Sequence, residues 1–287
     1  MAGHAIRQGE QGCFCHDRYK TSWEAKLMMT LVSKPAFNRI LVEVAAPVVR
    51  ITLNNPPLNV IDLEMMGELL AAMEQIEAIA EISTIVFAGS ERAFSSGVDI
   101  AAHAPESVRN MLTAFHSVIR AVVATKKMTV AVVRRHCLGG AAELAMLCDI
   151  VYASPDSVWG FPEIKLACFP PVAAAALASI VGQKLAAEMI LTGRTLNGAG
   201  ALAAGLVNGL AEDPETLVAE CSARVAQLSP AAMALAKKAL YAWDSIHFDK
   251  GLARSEQIYF DELMKTADAR EGIKAHIERR RPQWTGK

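Results

Sequence analysis

The chain has 287 residues, of which 52% are hydrophobic and 21% are charged, a composition typical of a globular protein that buries a large core. Its formal charge is -1, so no net field favours a nucleic acid as partner. No apolar run reaches the roughly 18 to 20 residues that a membrane-spanning helix needs, and the N-terminal residues lack the apolar segment of a signal peptide. We therefore expect a cytoplasmic protein with neither a nucleic acid nor a membrane as partner.

The six cysteines favour a reduced protein. They lie at positions 13, 15, 137, 148, 168 and 221, mostly among apolar neighbours and without paired CxxC spacing. This spacing predicts buried free thiols and not a disulfide framework. The stretch "CFCH" at 13–16 has side chains that can bind a metal, but it lacks a second pair of ligands. We therefore expect no metal site.

Three segments are predicted along the chain. Residues 1–36 show no clear periodicity and are expected to form a poorly ordered N-terminal extension, or a leader upstream of a start at Met28 or Met29. Residues 37–210 are predicted to form the core that carries the functional site. Residues 211–287 are predicted to form a C-terminal helical region.

Strand and helix patterns alternate in the predicted core. In order, they predict a hairpin at 39–54, a helix from the N-cap Asp62 to about Ala80, a strand at 84–89, a helix at 105–124, a strand at 128–135, a short helix after Gly140 and a strand at 149–154. From Ala173 onward the pattern is mostly helical, with helices predicted near 183–192, 197–204, 214–228, 230–241, 245–265 and 268–280. The predicted fold class is therefore α/β, followed by helices.

One carboxylate, Glu143, stands in the apolar run "HCLGGAAELAMLCDI" at 136–150. An unpaired charge is costly to bury, so we expect this carboxylate to have a use or a partner. The N–H groups at the helix start near Gly140 can stabilise negative charge on an oxygen, and Glu143 follows one helical turn later. The structural alternatives are a tight strand-to-helix turn and a salt bridge from Glu143 to Arg134 or Arg135.

Two further stretches combine a turn with chemically useful groups. "AFSSGVDIAAH" at 93–103 follows a strand and contains a flexible Ser-Ser-Gly turn whose N–H groups can face a ligand. In "VWGFPEIKLACFPP" at 158–171, Glu163 follows Pro162 among aromatic and apolar residues. Taken singly, the first is an ordinary turn and the second an acidic side chain favoured at a helix start.

Together these stretches resemble the crotonase superfamily, which includes enoyl-CoA hydratases and isomerases. The resemblance runs from about Arg39 to Trp284 and includes "AFSSGVDI", "GGAAELAMLCDI", "FPEI", "AAEMILTGRTLNGAGALAAGLVNGL" and "EGIKAHIERRRPQW". It implies a spiral of ββα repeats with a C-terminal helical region used in trimer contacts. It also implies a homotrimer, or a homohexamer built as a dimer of trimers.

The resemblance also implies roles for particular residues. The oxyanion hole of the family falls on the backbone N–H groups of Val98 and Gly140, which would hold the thioester oxygen of an acyl-CoA. The two glutamates with which family hydratases add water fall on Glu143 and Glu163, with the acid and the base left open. Coenzyme A is then part of the substrate, and no separate cofactor is implied. For CoA and substrate binding, the resemblance points to the loop residues Ser96, Asp99 and Ile100.

The stretch after Glu163 departs from the usual Gly-rich family run. Pro171 stands where ordinary enoyl-CoA hydratases carry a glycine whose N–H helps to hold the water, and proline has no N–H. Together, Phe169 and Pro171 predict a stiff, apolar pocket wall that suits a ring-shaped acyl group. The run "FPEIKLACFPPVAAAAL" is similar to that of cyclohexa-1,5-diene-1-carbonyl-CoA hydratases of anaerobic benzoyl-CoA breakdown.

The function predicted is therefore hydration of an enoyl- or dienoyl-CoA thioester, with the cyclic diene as the expected substrate. The alternatives are a straight-chain 2-enoyl-CoA hydratase, an enoyl-CoA isomerase, and a non-catalytic CoA-binding or RNA-binding member of the fold. The presence of both glutamates disfavours the last two.

Overall fold

The computed structural model describes residues 37–104, 106–241 and 244–286, with the backbone alone for residues 244–246. The predicted N-terminal extension and the "CFCH" stretch lie outside the described residues, so both remain predictions. Cys137, Cys148, Cys168 and Cys221 are buried free thiols, which confirms the prediction for these four. Within the described ranges, no helix combines the length and the apolar character needed to cross a membrane.

A six-stranded sheet forms the larger layer of the core. Its strands, in spatial order, are β1 (Ile40–Ala45), β2 (Val48–Leu53), β3 (Thr84–Ala88), β5 (Met128–Val133), β7 (Ile150–Ala153) and β10 (Gly209–Leu210). The β1–β2 pair is the predicted antiparallel hairpin, and the following neighbours pair in parallel. Every residue of β3 is buried, as its unbroken apolar run from Ile85 to Ala88 predicts for a central parallel strand.

A second, smaller sheet contains four strands of three residues each. They are β4 (Ala93–Ser95), β6 (His136–Leu138), β8 (Val158–Gly160) and β9 (Thr195–Asn197), in that order. The first three pair in parallel, and β9 is antiparallel to β8. The strand predicted over 128–135 was wrong in its length, because Arg135 has φ +50°, a left-handed conformation that interrupts the extended chain between β5 and β6.

The strands β3, β5 and β7 are each followed by a short strand of the second sheet and then by a helix, which is the repeated ββα unit. The helices are α1 (Leu63–Glu77), α2 (Val108–Ala124), α3 (Gly140–Met146), α4 (Pro171–Val181), α5 (Gln183–Thr192), α6 (Gly198–Ala203), α7 (Glu215–Val225), α8 (Pro230–Tyr241), α9 (Asp244–Asp261) and α10 (Ala267–Ile277). Asp62 caps α1 as predicted, by accepting a hydrogen bond from the Met65 N–H at 2.8 Å. The predicted α/β class with a C-terminal helical region is confirmed.

The helix α9 is attached to α2 by two polar contacts. Nδ1 of the buried His116 on α2 lies 2.6 Å from Oε1 of Glu256 on α9. One turn further along α9, the guanidinium of Arg109 lies 4.0 Å from the centre of the Phe260 ring. These contacts fix the face of α9 that carries Tyr259.

Candidate active site

The three stretches singled out in the sequence meet at one edge of the smaller sheet. They follow β4, β6 and β8, which are parallel neighbours. The carboxyl ends of parallel neighbours lie side by side, so the turns that leave these strands converge. This placement explains why residues far apart in the sequence form a single site.

The turn after β4 packs directly against the turn after β6. Gly97 has φ +104°, and a Cβ built on it would lie 2.7 Å from the Leu138 carbonyl oxygen and 3.6 Å from the Gly140 nitrogen. On Gly140, a Cβ would lie 2.6 Å from Cγ2 of Val98. The two backbones therefore approach each other so closely that only glycine fits at these two positions.

Two backbone N–H groups at this contact have no hydrogen-bond partner among the described residues. The Ile61 N–H donates to the Gly97 oxygen at 2.9 Å and the Asp99 N–H donates to the Ile61 oxygen at 3.1 Å, so the Val98 N–H points to the other side of its strand. The Gly140 N–H belongs to the first residue of α3 and has no carbonyl partner within the helix. Both unpartnered donors therefore lie at the same contact between the two turns.

Glu143 lies one turn into α3 and is 3% exposed. Its Oε1 accepts a hydrogen bond from the Ala173 N–H at 2.8 Å, at the N-terminus of α4. Burial raises the pKa of Glu143, and the backbone N–H groups of Ala173 and Val172 oppose that rise because they stabilise the anion. The carboxylate thus has a partner, namely the positive end of a helix.

The salt-bridge alternative for Glu143 was wrong. Arg134 pairs with Asp213 and Glu91, and Arg135 pairs with Asp156 at 3.6 Å.

Glu163 approaches the same place from the turn after β8, in a 3-10 helix that spans Pro162–Leu166. A Cβ built on Gly139 would lie only 2.5 Å from its Oε1, so this carboxyl group packs against the start of α3. Its Oε2 is buried and has no hydrogen-bond partner in the part of the chain that the structure describes. Burial, followed by the charge of Glu143, raises the pKa of Glu163.

The two carboxyl groups therefore form a coupled pair. Two negative charges in one buried cavity repel each other, so the second ionisation is harder than the first. The N–H groups of α4 favour the anion at Glu143, while Glu163 has no comparable donor on Oε2. This environment favours ionisation of Glu143 before that of Glu163.

A cavity of about 70 Å³ joins these groups. Of the residues singled out in the sequence, its lining includes Ser96, Val98, Ile100, Gly140, Glu143, Glu163, Phe169 and Pro171. Asp99 does not line this cavity, because its carboxylate caps the 3-10 helix Ile100–His103 and accepts from the Ala101 N–H at 3.0 Å. The lining also contains Tyr259 of α9, which no sequence motif indicated.

A larger cavity of about 380 Å³ contains none of the residues singled out as site residues. Two of its charged residues, Lys237 and Asp149, form an ion pair at 2.8 Å. Across the described ranges, no group of three or more His, Cys, Asp or Glu side chains is placed to hold a metal ion. The chemistry that the fold assembles is therefore concentrated in the smaller cavity.

Comparison with known proteins identifies the family of this chain. The family model described as Enoyl-CoA hydratase/isomerase matches residues 43–287. This chain is a member of that family, within the crotonase superfamily. It is 31% identical to the cyclohexa-1,5-dienecarbonyl-CoA hydratase of Thauera aromatica over 248 residues, which cover 86% of this chain and 96% of that protein.

Two further relatives are similar to this chain over most of its length. The 2,3-dehydroadipyl-CoA hydratase of Escherichia coli is 31% identical over 245 residues, 84% of this chain and 96% of that protein. A crystal structure of an enoyl-CoA hydratase from Mycobacterium avium subsp. paratuberculosis superposes with a TM-score of 0.79 at 28% identity, covering 87% of this chain and all of that one. The crotonase fold predicted from the sequence is confirmed.

Replacement of Glu163 by glutamine should stabilise this crotonase-family protein at alkaline pH. The pKa of Glu163 is raised on folding, so the wild-type protein is most stable while this carboxyl group holds its proton and loses stability as the pH rises through the folded pKa. The amide of Glu163→Gln has no proton to lose. We expect its free energy of unfolding to exceed that of wild type by about 1 kcal/mol or more near pH 9, and by less near pH 5.

Urea denaturation at both pH values measures this difference. Glu74→Gln is the matched control, because Glu74 is exposed on α1 and its replacement should give the same small change at each pH. A Glu163→Gln difference that does not grow with pH would contradict the burial of this carboxyl group.

Proposed function

We propose that this protein adds water to the C=C bond of an enoyl- or dienoyl-CoA thioester. As a family member with both carboxyl groups in place, it is a hydro-lyase of the enoyl-CoA hydratase type. The observation that carries the proposal is the convergence of two unpartnered N–H donors, from Val98 and Gly140, with two buried carboxyl groups in one cavity. These are the groups that hydration of a conjugated thioester requires.

The N–H groups act on the thioester oxygen. When water adds to the conjugated C=C bond, the π electrons move toward this oxygen and form an enolate. Two fixed donors stabilise the charge as it develops, and loss of one such donor typically costs about 3 to 4 kcal/mol. We propose that the Val98 and Gly140 N–H groups perform this task.

The carboxyl groups exchange the protons. Glu143, held as the anion by the N-terminus of α4, accepts a proton from the attacking water. Glu163, held in the protonated state by burial and by the charge of Glu143, delivers its proton to the enolate carbon. Coenzyme A is part of the substrate, and we propose that no separate cofactor takes part.

For the acyl group, we propose cyclohexa-1,5-diene-1-carbonyl-CoA. The wall formed by Phe169, Pro170 and Pro171 is apolar, and the two prolines restrict its movement. The ring of Tyr259 meets that of Phe169 edge to face, with centroids 5.2 Å apart, and extends the wall. The relative from Thauera aromatica bears the name of this cyclic substrate.

A straight-chain 2-enoyl-CoA is the second candidate. It is supported by the relative from Escherichia coli, which is named for an open-chain dehydroadipyl thioester at the same 31% identity. The loop from Ser96 to Ile100 would contact CoA in either case. Of its three predicted binding residues, Asp99 would act through its cap of the 3-10 helix and not through its side chain.

We also propose that the protein works as a homotrimer or as a dimer of trimers. The C-terminal helical region exposes large apolar side chains, among them Leu228, Leu235 and Leu240 at 56%, 67% and 69% exposure. Apolar side chains of this size are commonly covered by another subunit. The buried free thiols fit a reducing compartment, and on this basis we propose a cytoplasmic location.

Removal of either carboxyl group should abolish most of the hydration activity. We expect Glu143→Gln and Glu163→Gln each to lower kcat by roughly 10²- to 10⁴-fold, because each removes one proton-transfer group. Binding of a saturated analogue such as butyryl-CoA should survive, since the oxyanion hole remains. Kinetics of crotonyl-CoA hydration and calorimetric titration with butyryl-CoA measure the two effects, with Glu74→Gln as the control.

Unchanged turnover in either glutamine variant would refute the assignment. Loss of binding together with turnover would indicate a damaged fold and would count against the proton-transfer role.

The choice of acyl group is tested by comparing two substrates. Incubation with crotonyl-CoA and with cyclohexa-1,5-diene-1-carbonyl-CoA, followed by mass spectrometry of the products, gives the ratio of the two hydration rates. We expect a preference for the cyclic thioester of more than about tenfold, because a rigid ring loses little freedom against a stiff wall. Equal rates, or a preference for crotonyl-CoA, would contradict the cyclic substrate and favour the straight-chain function.

A further inference from the structure

The hydroxyl group of Tyr259 is a buried polar group that the proposed mechanism has not yet used. Tyr259 is 1% exposed, and among the described residues its oxygen has only the weakly bonding Cys168 thiol beside it, with no oxygen or nitrogen partner. A buried hydroxyl without a partner costs free energy, and native proteins retain few of them. The side chain lines the cavity of the two glutamates, so a partner that enters this cavity can satisfy it.

The position of this hydroxyl is fixed by its surroundings. On the same helix, Glu256 bonds to His116, and Phe260 packs under Arg109. The Tyr259 ring also meets the Phe169 ring edge to face, so it is held from both sides of the cavity wall. A hydroxyl held in this way loses little freedom when it binds a small ligand.

The surroundings also fix the protonation state of this hydroxyl. Burial raises the pKa of Tyr259 well above its usual value, and the adjacent Cys168 thiol and the charges of Glu163 and Glu143 raise it further. The group therefore keeps its proton and acts as a hydrogen-bond donor. This hydroxyl group and both glutamates belong to side chains that line the same cavity.

The N-terminus of α4 does not supply a hydrogen-bond donor to a water that lies between the two glutamates. Pro171 is the first residue of this helix and has no N–H, and the next two N–H groups, of Val172 and Ala173, stabilise Glu143. The N–H groups of this helix end are therefore either missing or already engaged. A water placed between the two glutamates has to find a donor elsewhere.

We propose that the Tyr259 hydroxyl donates a hydrogen bond to the oxygen of the water that adds to the substrate. This inference rests on the hydratase function proposed above. The water gives one proton to the Glu143 carboxylate while its oxygen forms the new C–O bond, and the π electrons of the C=C bond move into the enolate. Glu163 then protonates the enolate carbon. Tyr259 keeps its own proton throughout and orients the water.

The test uses a reaction that needs the same site but no attacking water. Exchange of an α-proton of butyryl-CoA with D₂O breaks a C–H bond, stabilises the enolate in the oxyanion hole and returns a deuteron to the same carbon. Tyr259→Phe removes only the hydroxyl and keeps the ring contact with Phe169. We expect kcat for crotonyl-CoA hydration to fall by about 10-fold or more, while KM and the exchange rate stay within about twofold of wild type.

Tyr152→Phe is the matched control, because it removes a tyrosine hydroxyl from β7, outside the lining of this cavity. We expect wild-type hydration and exchange for that variant. Mass spectrometry measures the deuterium content, and a coupled absorbance assay measures hydration.

Three results would overturn the inference. Hydration by Tyr259→Phe within twofold of wild type would show that the water is held without this hydroxyl. A parallel loss of hydration and exchange would show that the side chain only supports the shape of the site. If the wild-type protein exchanges α-protons but hydrates no enoyl-CoA, the proposed function fails, and the role of Tyr259 fails with it.

Discussion

The candidate site depends on the burial of two carboxyl groups, those of Glu143 and Glu163, in one cavity. A single buried carboxylate is unfavourable unless hydrogen bonds or charges compensate it, and two adjacent ones also repel each other. Here the compensation is unequal: Glu143 is bound by the N-terminus of α4, whereas Oε2 of Glu163 has no partner. This inequality favours ionisation of Glu143 before Glu163, which supports the proposed roles of base and acid for two residues of the same type.

The fold supplies the geometry for this pair through three short strands. Because β4, β6 and β8 run in parallel, the turns that follow them meet, and each contributes one part of the site. The turn after β4 gives the Val98 N–H, the turn after β6 gives the Gly140 N–H and Glu143, and the turn after β8 gives Glu163. The glycines at the contact are needed because a side chain there would occupy the space of the neighbouring turn.

The sequence predicts most of this site, because its motifs lie directly after the strands that position them. Glu143 is conspicuous in an apolar run, and Glu163 follows a proline among aromatic residues. The smaller sheet could not be predicted, since strands of three residues are too short to show a period. The hydrogen-bond partner of Glu143 could not be predicted either. It lies in the first turn of α4, which is far from Glu143 in sequence and meets it only in the folded chain.

Tyr259 illustrates a different limit of sequence-based prediction. It lies in a helix with an ordinary mixed pattern, and nothing in the surrounding letters distinguishes it from any other buried aromatic residue. Its proposed role follows from its place in the cavity lining, which depends on the packing of the helical region. Asp99 is the converse case, because it stands within the loop predicted to bind CoA but its side chain caps a 3-10 helix.

The raised pKa values of Glu143 and Glu163 are tested most directly by a titration of the two carboxyl groups. In protein labelled with ¹³C at the glutamate side-chain carboxyl carbons, NMR can follow Glu143 and Glu163, with each glutamine variant giving the assignment. We expect that, near pH 6, the pair still holds at least one proton, mainly on Glu163, whereas an ordinary glutamate with a pKa of about 4.3 is already ionised. Complete ionisation of both groups below about pH 5.5 would show that burial and mutual repulsion do not keep a proton on this pair.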